Sequence, residues 1–137
     1  MIQVRELIIE KIKRHEGWRS KPYRCSANKL TIGYGTNIEQ ISKKEGELLL
    51  ISRLNDIFEY ALPQLPEYKT LNDTRKLVYL DMLYNLGIKS FKGFKHMRNY
   101  VQDGNWHGAA CEIENSKYYK QVGLRGQENA EMMRFGK

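Results

Sequence analysis

Apolar positions near the start of the chain recur with a helical period. Val4, Leu7, Ile8 and Ile12 share one face, Ile2 and Ile9 lie beside them, and charged residues fill the rest. This predicts a helix over residues 2–16, stopped by Gly17. The pattern then changes. Tyr23 to Cys25 and Leu30-Thr31-Ile32 read as short strands, with Ser26-Ala27-Asn28-Lys29 as the turn between them. Gly33-Tyr34-Gly35 is permissive backbone, suited to a sharp bend or a close approach. Ser42-Lys43-Lys44-Glu45 forms a capping box. It opens a helix whose apolar face includes Leu48, Leu49, Ile51, Leu54, Ile57 and Phe58, running to about Leu62 before Pro63 and Pro66.

Asn72 or Asp73 can cap the next helix. Its residues Leu77, Val78, Tyr79, Leu80, Met82, Leu83, Tyr84 and Leu86 are apolar nearly all round, which predicts burial at the centre of a helical lobe. Gly87 closes it. Ser90 reads as the cap of a shorter helix through about Val101. Asp103-Gly104-Asn105 is a turn with a new cap, before a helix from Trp106 to about Asn115. Ser116 begins a short helix ending near Gly123, and a last one covers 127–135. The order predicts an α+β fold in a single domain over 1–137. A small β lobe spans about 17–41 and a connecting helix about 42–62. A helical lobe over about 70–135, with the N-terminal helix, completes it, and an active-site cleft lies between the lobes.

Composition narrows the class. Hydrophobic residues make up 41% and charged residues 28%, which fits a globular domain. No apolar run approaches the roughly 20 residues a bilayer needs. Charges every few residues in MIQVRELIIEKIKRHEG argue against a secretory signal or membrane anchor, so a cytoplasmic location is expected. The net charge of +7 favours polyanions: nucleic acid, an anionic cell wall or an anionic membrane surface. No DNA-reading motif is present. Cys25 and Cys111 are too few for a disulfide scaffold and are expected to be free thiols. His15, His96 and His107 have no zinc-ligand spacing, so no metal and no cofactor is expected.

The chemistry concentrates in HEGWRSKPYRCSANKLTIGYGTN, from His15 to Asn37. Glu16 stands at the negative end of the first helix's macrodipole, and partial burial against Trp18 would act the same way. Both favour the protonated carboxyl that a general acid needs. Arg19, Lys21, Arg24 and Lys29 lie close to Cys25 in sequence and would favour its thiolate. Thr31 adds a hydroxyl on the second strand.

This constellation resembles the phage lysozymes of glycoside hydrolase family 24, of which the T-even phage lysozyme is one. Their pattern is an acidic residue in an Glu-Gly pair, an Asp or Cys nine positions on, and a Thr six further on in a T-I-G-x-G segment. Here these are Glu16, Cys25 and Thr31. LDMLYNLGIKSFKGF looks like the family's central helix and following turn, and WHGAACEI and SKYYKQVGL like its later helices, so the likeness covers essentially the whole chain. The resemblance implies a lysozyme-like fold and hydrolysis of the β-1,4 bond between N-acetylmuramic acid and N-acetylglucosamine in peptidoglycan. It makes Glu16 the general acid, Cys25 the group that assists the attacking water, and Thr31 a residue that positions that water. Inverting carboxyl pairs sit about 6.5–9.5 Å apart. A thiolate at Cys25 also leaves open electrostatic stabilisation, or direct attack with retention.

By the same resemblance Asn37, Tyr84, Met97 and Glu112 contact substrate, with core packing as the other reading for Tyr84 and Met97. Trp18, Trp106 and Cys111 read as core. The family's arginine pair after Gly123-Leu124 is reduced here to Arg125. The resulting expectation is a monomeric phage endolysin acting on bacterial peptidoglycan, without nucleic acid and without stable membrane insertion. It would be held in the host cytoplasm until another factor lets it reach the wall. A non-catalytic wall-binding protein on the same fold is the alternative.

Overall fold

The computed structural model describes residues 3–137. Among the described residues, eight α-helices and one three-stranded antiparallel sheet form an α+β fold. The described chain divides into two compact units, with the division between Leu49 and Leu50.

In the first unit, α1 runs Val4–Glu16. Its predicted start at residue 2 lies outside the described residues. The Gln3 and Glu6 side chains form a reciprocal cap at its start, and Gly17 ends it at φ +69°. The sheet follows as β1 (Arg19–Arg24), β2 (Leu30–Gly33) and β3 (Thr36–Asn37). Sequence periodicity found the first two strands but not β3, which is two residues long and too short to show alternation. β1 and β2 pair at Tyr23↔Thr31 and Arg24↔Leu30, and the register slips between Arg19 and Tyr23. Pro22 lies in the slipped stretch and has no N–H for a ladder bond. β2 and β3 pair at Thr31↔Asn37 and Ile32↔Thr36. The turn between β1 and β2 closes with the Asn28 N–H donating to the Cys25 carbonyl, and Asn28 takes a left-handed conformation at φ +60°. Trp18 is 63% exposed and leans on Tyr34, with ring centroids 5.1 Å apart, so the core role read for it is not what it has.

Helix α2 (Lys43–Asp56) begins with the predicted capping box. The Ser42 N–H donates to Glu45 Oε1, and the Glu45 N–H donates to Ser42 Oγ. The helical path continues past Asp56 with a change of pitch, as a π turn over Ile57–Ala61 and tight 3₁₀ turns at Leu62–Gln64 and Pro66–Thr70.

The second unit is helical: α3 (Asp73–Leu86), α4 (Ile88–Lys92), α5 (Lys95–Gln102), α6 (Trp106–Glu114), α7 (Lys117–Val122) and α8 (Leu124–Phe135). Asn72, Asn105 and Ser116 each cap a helix, as the sequence indicates. Ser90 does not; it lies inside α4, and the single helix expected there is two, separated at Gly93-Phe94. Gly123 at φ +60° lets α8 start at Leu124, three residues earlier than expected. The core gathers Val78, Tyr79, Met82, Leu83, Phe91, Met97, Val101, Ile113 and Met133, all at most 2% exposed. α3 is buried on that face only, because Leu77 and Tyr84 are exposed, against the expectation of burial all round. Trp106 packs against this core with the Arg75 guanidinium 4.0 Å from its ring centroid. Arg75 also donates to the carbonyls of Met133 and Arg134, capping the negative end of α8.

Two ionic ties complete the unit, the first of them buried. Glu67, 5% exposed, accepts from Arg98 Nε at 2.6 Å, Arg98 Nη2 at 3.0 Å and the Tyr79 hydroxyl at 2.9 Å. Burial pushes its carboxyl up, but those donors outweigh it and hold the group below the usual carboxylate range. Asp81 accepts a two-pronged bond from Arg125 at 2.9 and 2.7 Å, and another from Asn129 at 2.9 Å. Arg125 and Asn129 hold the Asp81 carboxyl low against a smaller effect of burial. The surviving arginine of the reduced pair is thus bonded to α3.

Candidate active site

Glu16, Cys25 and Thr31 all belong to the first unit. Glu16 is the last residue of α1, so its side chain leaves the helix where Gly17 turns the chain towards the sheet. Its carboxyl rests against the bend between β2 and β3. A methyl group added at Gly35 would fall 2.5 Å from Glu16 Cδ and 2.6 Å from Oε2, well inside contact distance. Gly35 also has φ +75°, a conformation that side chains resist. The second glycine of Gly33-Tyr34-Gly35 is therefore required twice, by its backbone and by the carboxyl above it. Glu16 is exposed, so the shielding expected from Trp18 is not provided; that ring lies on Tyr34 instead.

Strand register puts the other groups together. Tyr23, Thr31 and Asn37 are cross-strand partners and share a face of the sheet. Alternation adds Cys25 to that face, and its N–H donates to the Lys29 carbonyl at 3.0 Å, extending the ladder beyond β1. Thr31 is 4% exposed, and its hydroxyl donates to the same carbonyl at 2.8 Å. The Cys25 thiol is pushed down from its ordinary value by backbone hydrogen bonds at Lys29 and Ala27 first, and by the Thr31 hydroxyl after a small opposing effect of burial. The turn's backbone, rather than the neighbouring Arg and Lys charges, is what favours the thiolate. The single proton of Thr31 can serve the carbonyl or the sulfur, one at a time.

Lys29 and Arg24 have another task. Glu39 accepts from the Leu30 N–H at 3.2 Å, and its carboxylate lies 3.5 Å from Arg24 and 4.0 Å from Lys29. Asn37 Oδ1 accepts from the Glu39 N–H at 3.0 Å, so this residue shapes the chain after β3. Sequence reading missed both Glu39 and the contact at Gly35. Glu39 stands alone in sequence, and only the register of β2 brings it to the hairpin.

The remaining residues read as substrate contacts lie in the second unit. Tyr84, 43% exposed on α3, lines a cavity of about 670 Å³ with Leu80, Asp81, Arg125 and Met132. Met97 and Glu112 line a different cavity, of about 550 Å³, with Phe94, His96, Asn115 and Ser116. Met97 is fully buried and belongs to the floor, whereas Glu112 is half-buried. Among the described residues no cluster of His, Cys, Asp and Glu is suited to a metal ion. No helix among them is long and apolar enough to cross a membrane.

A family described as phage lysozyme matches residues 13–131, which include α1's last turn, the whole sheet and nearly all of the second unit. The chain is similar to an endolysin of Acyrthosiphon pisum secondary endosymbiont phage 1, with 28% identity over 119 residues that cover 83% of this chain and 80% of that protein.

Proposed function

The chain belongs to the phage lysozyme family, and from that premise we propose that it is an N-acetylmuramidase, a phage endolysin that cuts the β-1,4 bond between N-acetylmuramic acid and N-acetylglucosamine of peptidoglycan during host lysis. The observation that carries the reading is the Glu16 carboxyl seated on the side-chain-free Gly35, beside the sheet that carries Thr31 and, just past the end of β1, Cys25. A carboxyl at that point delivers its proton to the leaving glycosidic oxygen, and the sugar carbon gains positive charge as the bond breaks. Cys25, its thiol pushed down by the turn's backbone, presents sulfur with anionic character to that charge. It also accepts a proton from the water that completes hydrolysis. Thr31 holds that water through its hydroxyl. Water at the face opposite the leaving group gives inversion; direct attack by sulfur gives a covalent sugar and retention. Asn37, Tyr84, Met97 and Glu112 are each proposed as substrate-binding residues. The protein is proposed to act as a single-domain monomer.

The test is clearing of a peptidoglycan suspension with product analysis. Glu16→Gln should cut clearing by about 10²–10⁴-fold, the usual worth of a general acid, and leave wall binding and the melting temperature unchanged. Mass spectrometry should find muramic acid at new reducing ends. NMR of the fresh anomer separates inversion from retention. Intact glycan after long incubation with reduced protein that still binds walls would favour the non-catalytic reading.

A further inference from the structure

Trp18 reads as core from the sequence, and the proposed hydrolysis leaves it without a task. The structure sets it at the surface of the first unit, 63% exposed, with Tyr34 beside it at 40%. The two rings lean on one another, their centroids 5.1 Å apart and their planes tilted by 51°. Lys13 Nζ lies 5.5 Å from the centre of the Tyr34 ring, so a cation on α1 steadies the tyrosine. Burial does not account for such a pair. A large apolar surface that is held in place and left in water is a surface to bind with.

Its position says what would bind. A methyl group added at Gly33 would touch Trp18 Cζ3 at 3.6 Å, and one added at Gly35 would run into the Glu16 carboxyl. The bend Gly33-Tyr34-Gly35 thus carries the indole, the phenol ring and the carboxyl in order. Consecutive Cα atoms are about 3.8 Å apart, so the two glycines lie at most about 7.6 Å from each other. That is the scale of neighbouring sugars on one strand. In a β-1,4-linked N-acetylhexosamine of the glucose configuration, the hydroxyls, the N-acetyl group and both glycosidic oxygens leave the ring equatorially. Each face of the ring then presents only axial C–H groups. Those faces are apolar, and their hydrogens carry the partial positive charge that the negative face of an indole attracts.

We propose that Trp18, backed by Tyr34, is the stacking platform for one sugar of the glycan strand, next to the bond that Glu16 cleaves. The proposal rests on the muramidase reading above and adds a substrate-binding residue to it. Trp18 takes no part in breaking the bond. The stacked sugar is held alike before and during the reaction, so its loss appears in KM and not in turnover.

The experiment titrates the full chain, carrying Glu16→Gln so that the ligand stays intact, with a soluble tetrasaccharide of alternating N-acetylglucosamine and N-acetylmuramic acid. Calorimetry reads the affinity. Adding Trp18→Ala should weaken binding about tenfold, the usual worth of one aromatic stacking contact. Trp18→Phe keeps an aromatic face and should weaken it much less. With Glu16 intact, Trp18→Ala should raise the wall concentration that gives half-maximal clearing to a similar degree and leave the maximal rate unchanged. Circular dichroism checks that each variant is folded. Should Trp18→Ala unfold, Trp18→Leu, apolar but without a π face, takes its place. An unchanged affinity in Trp18→Ala would overturn the inference. So would Trp18→Phe binding as weakly as Trp18→Ala, a maximal rate that falls while half-saturation stays fixed, or no binding of the tetrasaccharide at all. The muramidase reading fails separately: protein that binds the tetrasaccharide through Trp18 but cuts no glycan keeps the platform and loses the hydrolysis.

Discussion

Before Leu50 the described chain buries one residue, Thr31, whereas from Ile57 to Met133 it buries a continuous set of aromatic, aliphatic and methionine side chains. The first unit is held by strand ladders, a capped turn and the Glu39 clamp; the second by packing around Tyr79 and Phe91, whose rings meet edge to face at 4.8 Å. The proposed chemistry lies in the unit with little core. There, backbone geometry sets each group's position, and geometry is what a proton transfer needs. The second unit's side chains chiefly fix its own helices.

The largest effect should come from Arg98→Met in the helical unit. It strands the Glu67 carboxylate in the interior, and losing one partner of a buried pair costs about 3–5 kcal/mol. Calorimetry should show a fall in melting temperature of about 10 °C, with clearing preserved at low temperature. Gly35→Ala should do the reverse. A new Cβ displaces the Glu16 carboxyl, and misplacement by about 1 Å costs on the order of 10²-fold in turnover. A melting temperature that falls as far as in Arg98→Met would erase the contrast between the units.

Thr31→Val keeps the shape of the strand and removes the hydroxyl. It should lower clearing about tenfold, the worth of one hydrogen bond, and the anomer formed should not change. The smallest effect should appear in acid. The carboxyls of Asp81 and Glu67 are both held low in the folded protein, so the unfolded chain takes up their protons first as pH falls. Their stabilisation is complete above the ordinary carboxylate range and is lost as pH drops through the folded values. Asp81→Asn should make melting temperature fall less steeply between about pH 5 and pH 2. The change should be modest, because the Asp81–Arg125 pair is more than a third exposed.

What the sequence determined by itself was local. The capping residues Ser42, Asn72, Asn105 and Ser116, the turns, the first two strands and the spacing of Glu16, Cys25 and Thr31 all depend on neighbours a few residues away, so they are legible in order along the chain. Tertiary structure decided everything that joins distant positions. The seat of Glu16 on Gly35, the Glu39 clamp and the division of Tyr84 from Met97 and Glu112 depend on strand register and helix packing. So does the meeting of Cys111 with Arg134, 23 residues apart. Periodicity says which face of an element is apolar; it does not say which remote polar group will arrive there, because that is fixed only when the elements pack.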